Sequence, residues 1–446
     1  MRAALLAALL LTTSAQAAPS TDYGKLGLDL VEAMTTEIGP RLPAWPAEAR
    51  ARTWGVERLK SLGFRNVRVD PFPFVLWQRG AEEASVVAPF PHKLSLAALA
   101  NSGATPDAGI EAPVVMFSSL AAFEAAPAAN VAGKIVFLTH RMTRTQDGSS
   151  YGFFGDIRRR GPALAVDKGA AAILIRSIGT DSSRAAHTGW TSFGSRKPLA
   201  AAALGVADAE LLERIVGYGK PVTLRLRLTP TLTENAQSGN VIAEVPGTDP
   251  SAGIVLVGAH LDSWDLGTGA IDDASGIGIV TAAAKSILDG KRPRRTIRLV
   301  WFGAEEPGLV GGFAYRDRYR GERHALATEA DFGADRVWRV DFKLPDSAKP
   351  LRERITAALA PLGIGPSTIV ASGDSDVGPL VATGVNAIDL QQDGTRYFDL
   401  HHTAEDTFDK IDPAQFAQVV DAYSRVLRLV ADAPEDLIST TQGNKQ

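Results

Sequence analysis

GIVLVGAHLDSWDLGTGAIDDASGIG, residues Gly253 to Gly278, is the stretch whose reading decides the fold. Its apolar run from Ile254 to Val257 reads as a buried strand. That strand delivers His260 and Asp262 at its C-terminal end. A Gly-rich loop through Gly267 and Gly269 then carries Asp272 and Asp273, and the small residues Ala274, Ser275 and Gly276 lead into a helix over Ile277 to Leu288. Open α/β sheets bind ligands outside the carboxyl ends of their strands. A histidine and several carboxylates gathered there are therefore candidate metal ligands.

Downstream, Thr296 to Phe302 is another buried strand, ending in Gly303-Ala304-Glu305-Glu306-Pro307-Gly308, with a helix expected over Gly311 to Arg320. Asp331 and the run Ala387 to Leu390 lie near further strand ends. The last helix has Asp412 as N-cap and Pro413 at its first position; beyond it the tail from Pro434 to Gln446 is polar and expected to fray. Upstream, helices are expected from Tyr23 and over Ala47 to Leu62, the second ending at Gly63. Asn66 to Val69 and Phe72 to Trp77 read as strands. Between about Pro106 and Leu228 short strands and turns suggest a mostly β module, with Thr229 to Gly239 as the return linker. The expected class is α/β: a mixed, mostly parallel sheet flanked by helices, built from 18–105 and 229–446, with a β-rich insertion at 106–228.

Composition narrows the chemistry. The 446 residues are 45% hydrophobic and 22% charged with a net charge of -3, which gives no basic footprint for nucleic acid. There is no cysteine, so a transition metal can be held only by His, Asp and Glu. The N-terminus, MRAALLAALLLTTSAQAAPS, combines Arg2, an apolar run and Ala15-Gln16-Ala17, the pattern of a signal peptide (1–17) removed on export to a periplasm or the exterior. No later segment has the apolar length of a membrane anchor.

Three clusters stand out: His260/Asp262/Asp272/Asp273, Glu305/Glu306, and His401/His402 with Glu405/Asp406, with Asp331 as a lone fourth. Singly each has a bland explanation, as a hydrogen-bonded strand end, a solvated helix start or an N-cap pair. Together they suit two divalent ions sharing a carboxylate, with one further carboxylate left free as general base. Glu305 and Glu306 offer one ligand and one base, and spacing alone does not say which is which.

The runs GAHLDSWDLGTGAIDDASG, AEEPGLVGG, EADFG and LHHTAEDTFDKIDP resemble the co-catalytic zinc aminopeptidase family, which includes transferrin receptor and glutamate carboxypeptidase-like proteins. HLDSWDLGTGAIDD, with AAAILIRSIGTDSSRAAHTG and GVADAELL in the insertion, is similar to its carboxypeptidase Q subgroup. The resemblance covers nearly the whole mature chain. It implies a zinc exopeptidase fold, a protease-associated insertion and two Zn2+ per chain. His260 and Asp331 would bind the first ion, Glu306 and His402 the second, and Asp272 would bridge them. Glu305 would be the general base. Asp262 would orient His260 from outside the ligand set, and Asp273 would be a loop residue. His402 is chosen over His401 because it directly precedes Thr403. Many relatives carry a His after the loop corresponding to Ser372 to Asp376, whereas Val377 follows here.

The implied reaction is hydrolysis of a peptide bond next to a free N-terminal amine, in dipeptides or small peptides, with Asp376 or Asp393 as candidates to hold the amine. Relatives also suggest a homodimer. His187 is expected at the surface, with a reach toward a site as the alternative. Three rivals stand beside this reading: a serine hydrolase on Gly148-Ser149-Ser150-Tyr151-Gly152, which needs a strand before it and a helix after; a metal-free homologue; and a single-zinc acyl transferase of the glutaminyl cyclase type. Metal stoichiometry separates the last from a two-zinc peptidase.

Overall fold

The computed structural model describes residues 21–438. The expected signal segment at 1–17 and the end of the tail lie outside the described residues. Two eight-stranded sheets carry the chain. In the first, the strand order is Arg65–Gln78, Thr231–Val245, Thr296–Phe302, Ile254–His260, His324–Glu329, Ala387–Gln392, Val337–Lys343 and Gly365–Pro366. Its four central strands run parallel, and antiparallel pairs flank them on both sides. Strands covered on both faces need no alternation. In Ile254–His260, Val255 and Val257 face one core while Leu256 faces the other, all fully buried.

Helices Tyr23–Ala33, Ser275–Leu288 and Pro413–Ala431 pack together on one face. Asp412 caps the last of these by accepting from the amides of Ala414 and Gln415, as its sequence predicts. Val310–Arg318 and Gly378–Val381 lie together on the other face. The parallel core thus aims its carboxyl ends, with His260 last, at one edge of the molecule. No helix among the described residues is long and apolar enough to cross a membrane.

The second sheet runs His92–Leu94, Glu82–Ala88, Thr223–Leu228, Ile110–Phe117, Ile135–Leu138, Ala172–Arg176, Ala201–Leu204 and Leu96–Ala98. Three of these strands precede residue 106, where the insertion was expected to start. The unit also holds helices, among them Gly161–Asp167 and Val206–Gly217. From Thr231 on, the linker expected at Thr229 to Gly239 is instead part of the strand Thr231–Val245, which pairs antiparallel with Arg65–Gln78 from Arg65↔Glu244 to Gln78↔Thr231. The polar side chains of its outer half hide it, because those positions are exposed. Gly80 lets the two crossings pass, since a Cβ there would sit 1.9 Å from the Thr229 carbonyl oxygen. The tail is tied down as far as it is described: Leu437 is buried and Arg354 pairs with Glu435 at 2.9 Å.

Candidate metal centre

His260 ends its strand, and Asp272 and Asp273 sit in the turn that opens Ser275–Leu288. Asp273 is spent on backbone: it accepts from the amides of His260 at 3.1 Å and Gly276 at 3.0 Å. That anchors the turn against the strand end. Asp272 faces the other way, with Oδ1 2.9 Å from His260 Nε2 and Oδ2 3.3 Å from His402 Nε2. Asp331, just past His324–Glu329, brings Oδ1 to 3.3 Å from the same His260 nitrogen. Glu306 completes the set with Oε2 3.0 Å from His402 Nε2. The structure therefore gathers His260, Asp272, Glu306, Asp331 and His402 from five separate segments.

Asp262 reaches the other ring nitrogen of His260 through its backbone rather than its carboxylate. His260 Nδ1 lies 3.0 Å from the Asp262 backbone carbonyl and 3.8 Å from its carboxylate. The carboxylate accepts instead from the amides of Glu305 and Glu306, at 3.0 and 3.2 Å, and so fixes the two glutamates. Glu305 Oε1 accepts from the Ser375 hydroxyl at 2.5 Å. His401 stacks on His402 with ring centroids 3.4 Å apart, its Nε2 3.7 Å from Asp272 Oδ2.

The electrostatics are unbalanced. Burial opposes a charge on His260, but Asp331 and Asp272 overcome it and raise the imidazole well above its usual range. Burial also works against an ionised Asp272, yet His260 and His402 hold it well below the carboxylate range. Burial first, then neighbouring carboxylates such as Asp331 and Asp272, pushes Asp273, Glu305 and Glu306 well above it. Buried charge persists when it is paired or coordinates a metal. Carboxyl groups outnumber imidazoles here, and the buried Oε1 of Glu306 has no hydrogen-bond partner. Three overlapping groups, Asp272/His401/His402, His260/Asp273/Asp331 and His260/Asp272/Glu306, each bring their ligand atoms within 4.8 Å of one another. Oxygen and imidazole donors without thiolate suit divalent cations such as zinc, so the residues fit.

The other candidates lie outside this ligand set, Asp376 close enough that the charges of Glu305 and His260 act on its carboxyl. Asp376 is buried with Oδ1 on the Gly312 amide at 2.9 Å. Asp393 accepts from the Thr395 amide and from Gln146 Nε2, both at 2.9 Å. His187 is not at the surface: it is 1% exposed and pairs with Asp181 at 3.0 Å, because the loop that carries it turns inward between the two sheet units. Ser150 starts a short helix with no strand directly before it, and its hydroxyl donates to the Thr143 carbonyl. That is not the context of a nucleophile elbow. Sequence reasoning missed Trp264, whose indole N–H donates to Glu306 Oε2. The sequence offered only its place inside the quoted stretch.

The family model for peptidase family M28 matches residues 240–427. Carboxypeptidase Q from Bos taurus is 32% identical over 425 residues, covering 94% of this chain and 88% of the relative. The Homo sapiens protein of that name is 31% identical over 425 residues, with 94% and 87% covered. Among solved structures, a peptidase M28 precursor from Shewanella amazonensis SB2B superposes with a TM-score of 0.91 at 42% identity, over 93% of this chain and 95% of that one. BSAP, a zinc aminopeptidase from Bacillus subtilis, superposes at 0.69 with 19% identity over 93% and 97%, a likeness of fold. A cation-seeking cluster at the carboxyl ends of a parallel core, on a chain matched along nearly its whole length, leads to one assignment: the chain belongs to peptidase family M28 and is a metallopeptidase.

Proposed function

We propose that this chain is a two-zinc exopeptidase that hydrolyses the peptide bond next to a free N-terminus, in dipeptides or short peptides. The observation that carries the reading is the placement of Asp272. Its two oxygens face different imidazoles, Oδ1 toward His260 and Oδ2 toward His402, as a carboxylate shared between two cations must. His260 and Asp331 would hold one ion with Asp272, and Glu306 and His402 the other. Zinc bound there supplies polarisation of the scissile carbonyl and a water whose pKa is lowered toward neutrality.

The remaining work falls to the chain itself. Glu305 stands outside the ligand set, oriented by Ser375 and by the grip of Asp262 on its amide. Its carboxylate takes the proton of the attacking water and returns it to the leaving amine. The sheet unit from Glu82 to Leu228 is the protease-associated insertion, and the segment 1–17 directs export to a periplasm or the exterior.

Metal analysis of the mature chain, combined with hydrolysis of dipeptides and aminoacyl amides, tests the reading. Two zinc ions per chain with release of N-terminal residues is the expected result. One ion per chain with cyclisation of N-terminal glutamine would overturn it in favour of the acyl transferase.

A further inference from the structure

His402 stands on backbone that few residues tolerate. Its φ is +63°, in the left-handed region where a non-glycine residue persists only if its surroundings hold it. What holds it comes from the other sheet unit. The Thr188 amide donates to the His402 carbonyl at 3.0 Å, and the Thr188 carbonyl lies 3.2 Å from His402 Nδ1. Thr188 thus grips both the main chain and the ring of one histidine. Its hydroxyl is pinned in turn, donating to the Ala98 carbonyl at 2.7 Å and accepting from Arg79 at 3.1 Å.

Arg158 braces this contact. Its Nη1 is 3.1 Å from the Thr188 carbonyl and 3.2 Å from His402 Nδ1, and its Nη2 donates to the Tyr151 hydroxyl. Arg158 is buried, and a Cβ on Gly189 would lie 2.1 Å from Nη1. A guanidinium only donates and a carbonyl only accepts. Of these two partners, only the Thr188 oxygen can accept a hydrogen bond from Nδ1–H. With Nδ1–H donated there, the Nε2 lone pair is left facing Asp272 and Glu306.

We propose that Thr188 and Arg158 are positioning residues for His402, so that the second ion site is completed across the two sheet units rather than within residues 240–427. The inference rests on the two-zinc reading of Asp272, Glu306 and His402. Partners that orient a ligating histidine are typically worth about 10–100-fold in metal affinity. Charge acts with the opposite sign: deleting a cation this close would by itself tighten zinc binding. The direction of the change therefore identifies its cause.

Competition with a chromophoric zinc chelator reads both affinities in wild type and in Arg158→Met, with circular dichroism as the check on folding. One affinity is expected to fall about 10–100-fold while the other holds, and Arg158→Lys to recover part of the loss. The cobalt-loaded protein should show an altered visible absorption spectrum in Arg158→Met. Tyr151→Phe removes only the hydroxyl that holds Nη2 and should shift the same affinity in the same direction, less far; it carries the test if Arg158→Met does not fold. A folded variant that binds both ions as tightly as wild type, or more tightly, overturns the proposal. A wild-type chain that takes up fewer than two ions overturns the two-zinc reading first, and this inference with it.

Discussion

The indole N–H of Trp264 donates to Glu306 Oε2 at 2.5 Å, and the opposite oxygen, Oε1, has no hydrogen-bond partner. The carboxylate is thereby turned with one oxygen anchored and one free. Trp264 sits four residues beyond His260, on the loop that leads to Asp272. The stretch that delivers two ligands also orients a third from another strand. Trp264→Phe keeps most of the ring and deletes the donor. Zinc affinity should fall about tenfold by chelator competition, and unchanged affinity would remove Trp264 from this role.

Glu305→Gln tests the proton carrier directly. The amide keeps the shape and can still meet the Ser375 hydroxyl, but it cannot accept a proton from water. Both ions should remain by elemental analysis while kcat falls by about 10²–10⁴. Turnover within a few-fold of wild type would assign the base elsewhere.

Gly276 is a packing requirement of the same site. A Cβ there would lie 2.1 Å from the Ala330 carbonyl oxygen and 2.3 Å from Asp273 Oδ2. Asp273 holds the amide of His260, so the displacement reaches the first ligand. Gly276→Ala should cost about 1–3 kcal/mol in chemical denaturation and weaken zinc binding as well.

His324 predicts a pH dependence of stability. Burial first, and then the nearby Arg298, lowers its imidazole from 6.5 to about 4. Between those values the unfolded chain takes up a proton that the folded chain refuses. Its contribution is therefore lost as pH falls from 6.5 toward 4, by about 3 kcal/mol in total. His324→Gln should show a shallower acid slope between pH 7 and 5 in denaturant titrations. Equal slopes would dismiss His324 as the titrating group.

Local pattern carried the centre of the fold. The apolar runs at Ile254–His260 and Thr296–Phe302 are strands, and the small residues after Asp273 do open a helix. Pairing partners were less visible. Thr231 to Gln237 look like linker because that half of the strand is nearly all exposed, and only its distant partner Arg65–Gln78 makes it a strand. Pro71 and Pro73 are tolerated there because that strand is an edge. At the site, residue types marked the candidates, but nothing in the spacing says that Asp272 and His402 meet; the family resemblance supplied that pairing. Thr188 was beyond reach, because it acts through a backbone carbonyl that no side-chain pattern announces.

The two crossings between the sheet units, Arg65–Gln78 and Thr231–Val245, run side by side as a hydrogen-bonded ribbon, not as a pair of independent tethers. A rigid movement of one sheet unit that parts Thr188 from His402 must flex both lanes together, in register. Slack introduced into one lane alone, by a nick or an inserted loop near Gly80, removes one restraint on a grip far away along the chain and leaves it to direct contacts such as Arg79–Asp265 and Thr180–Phe398.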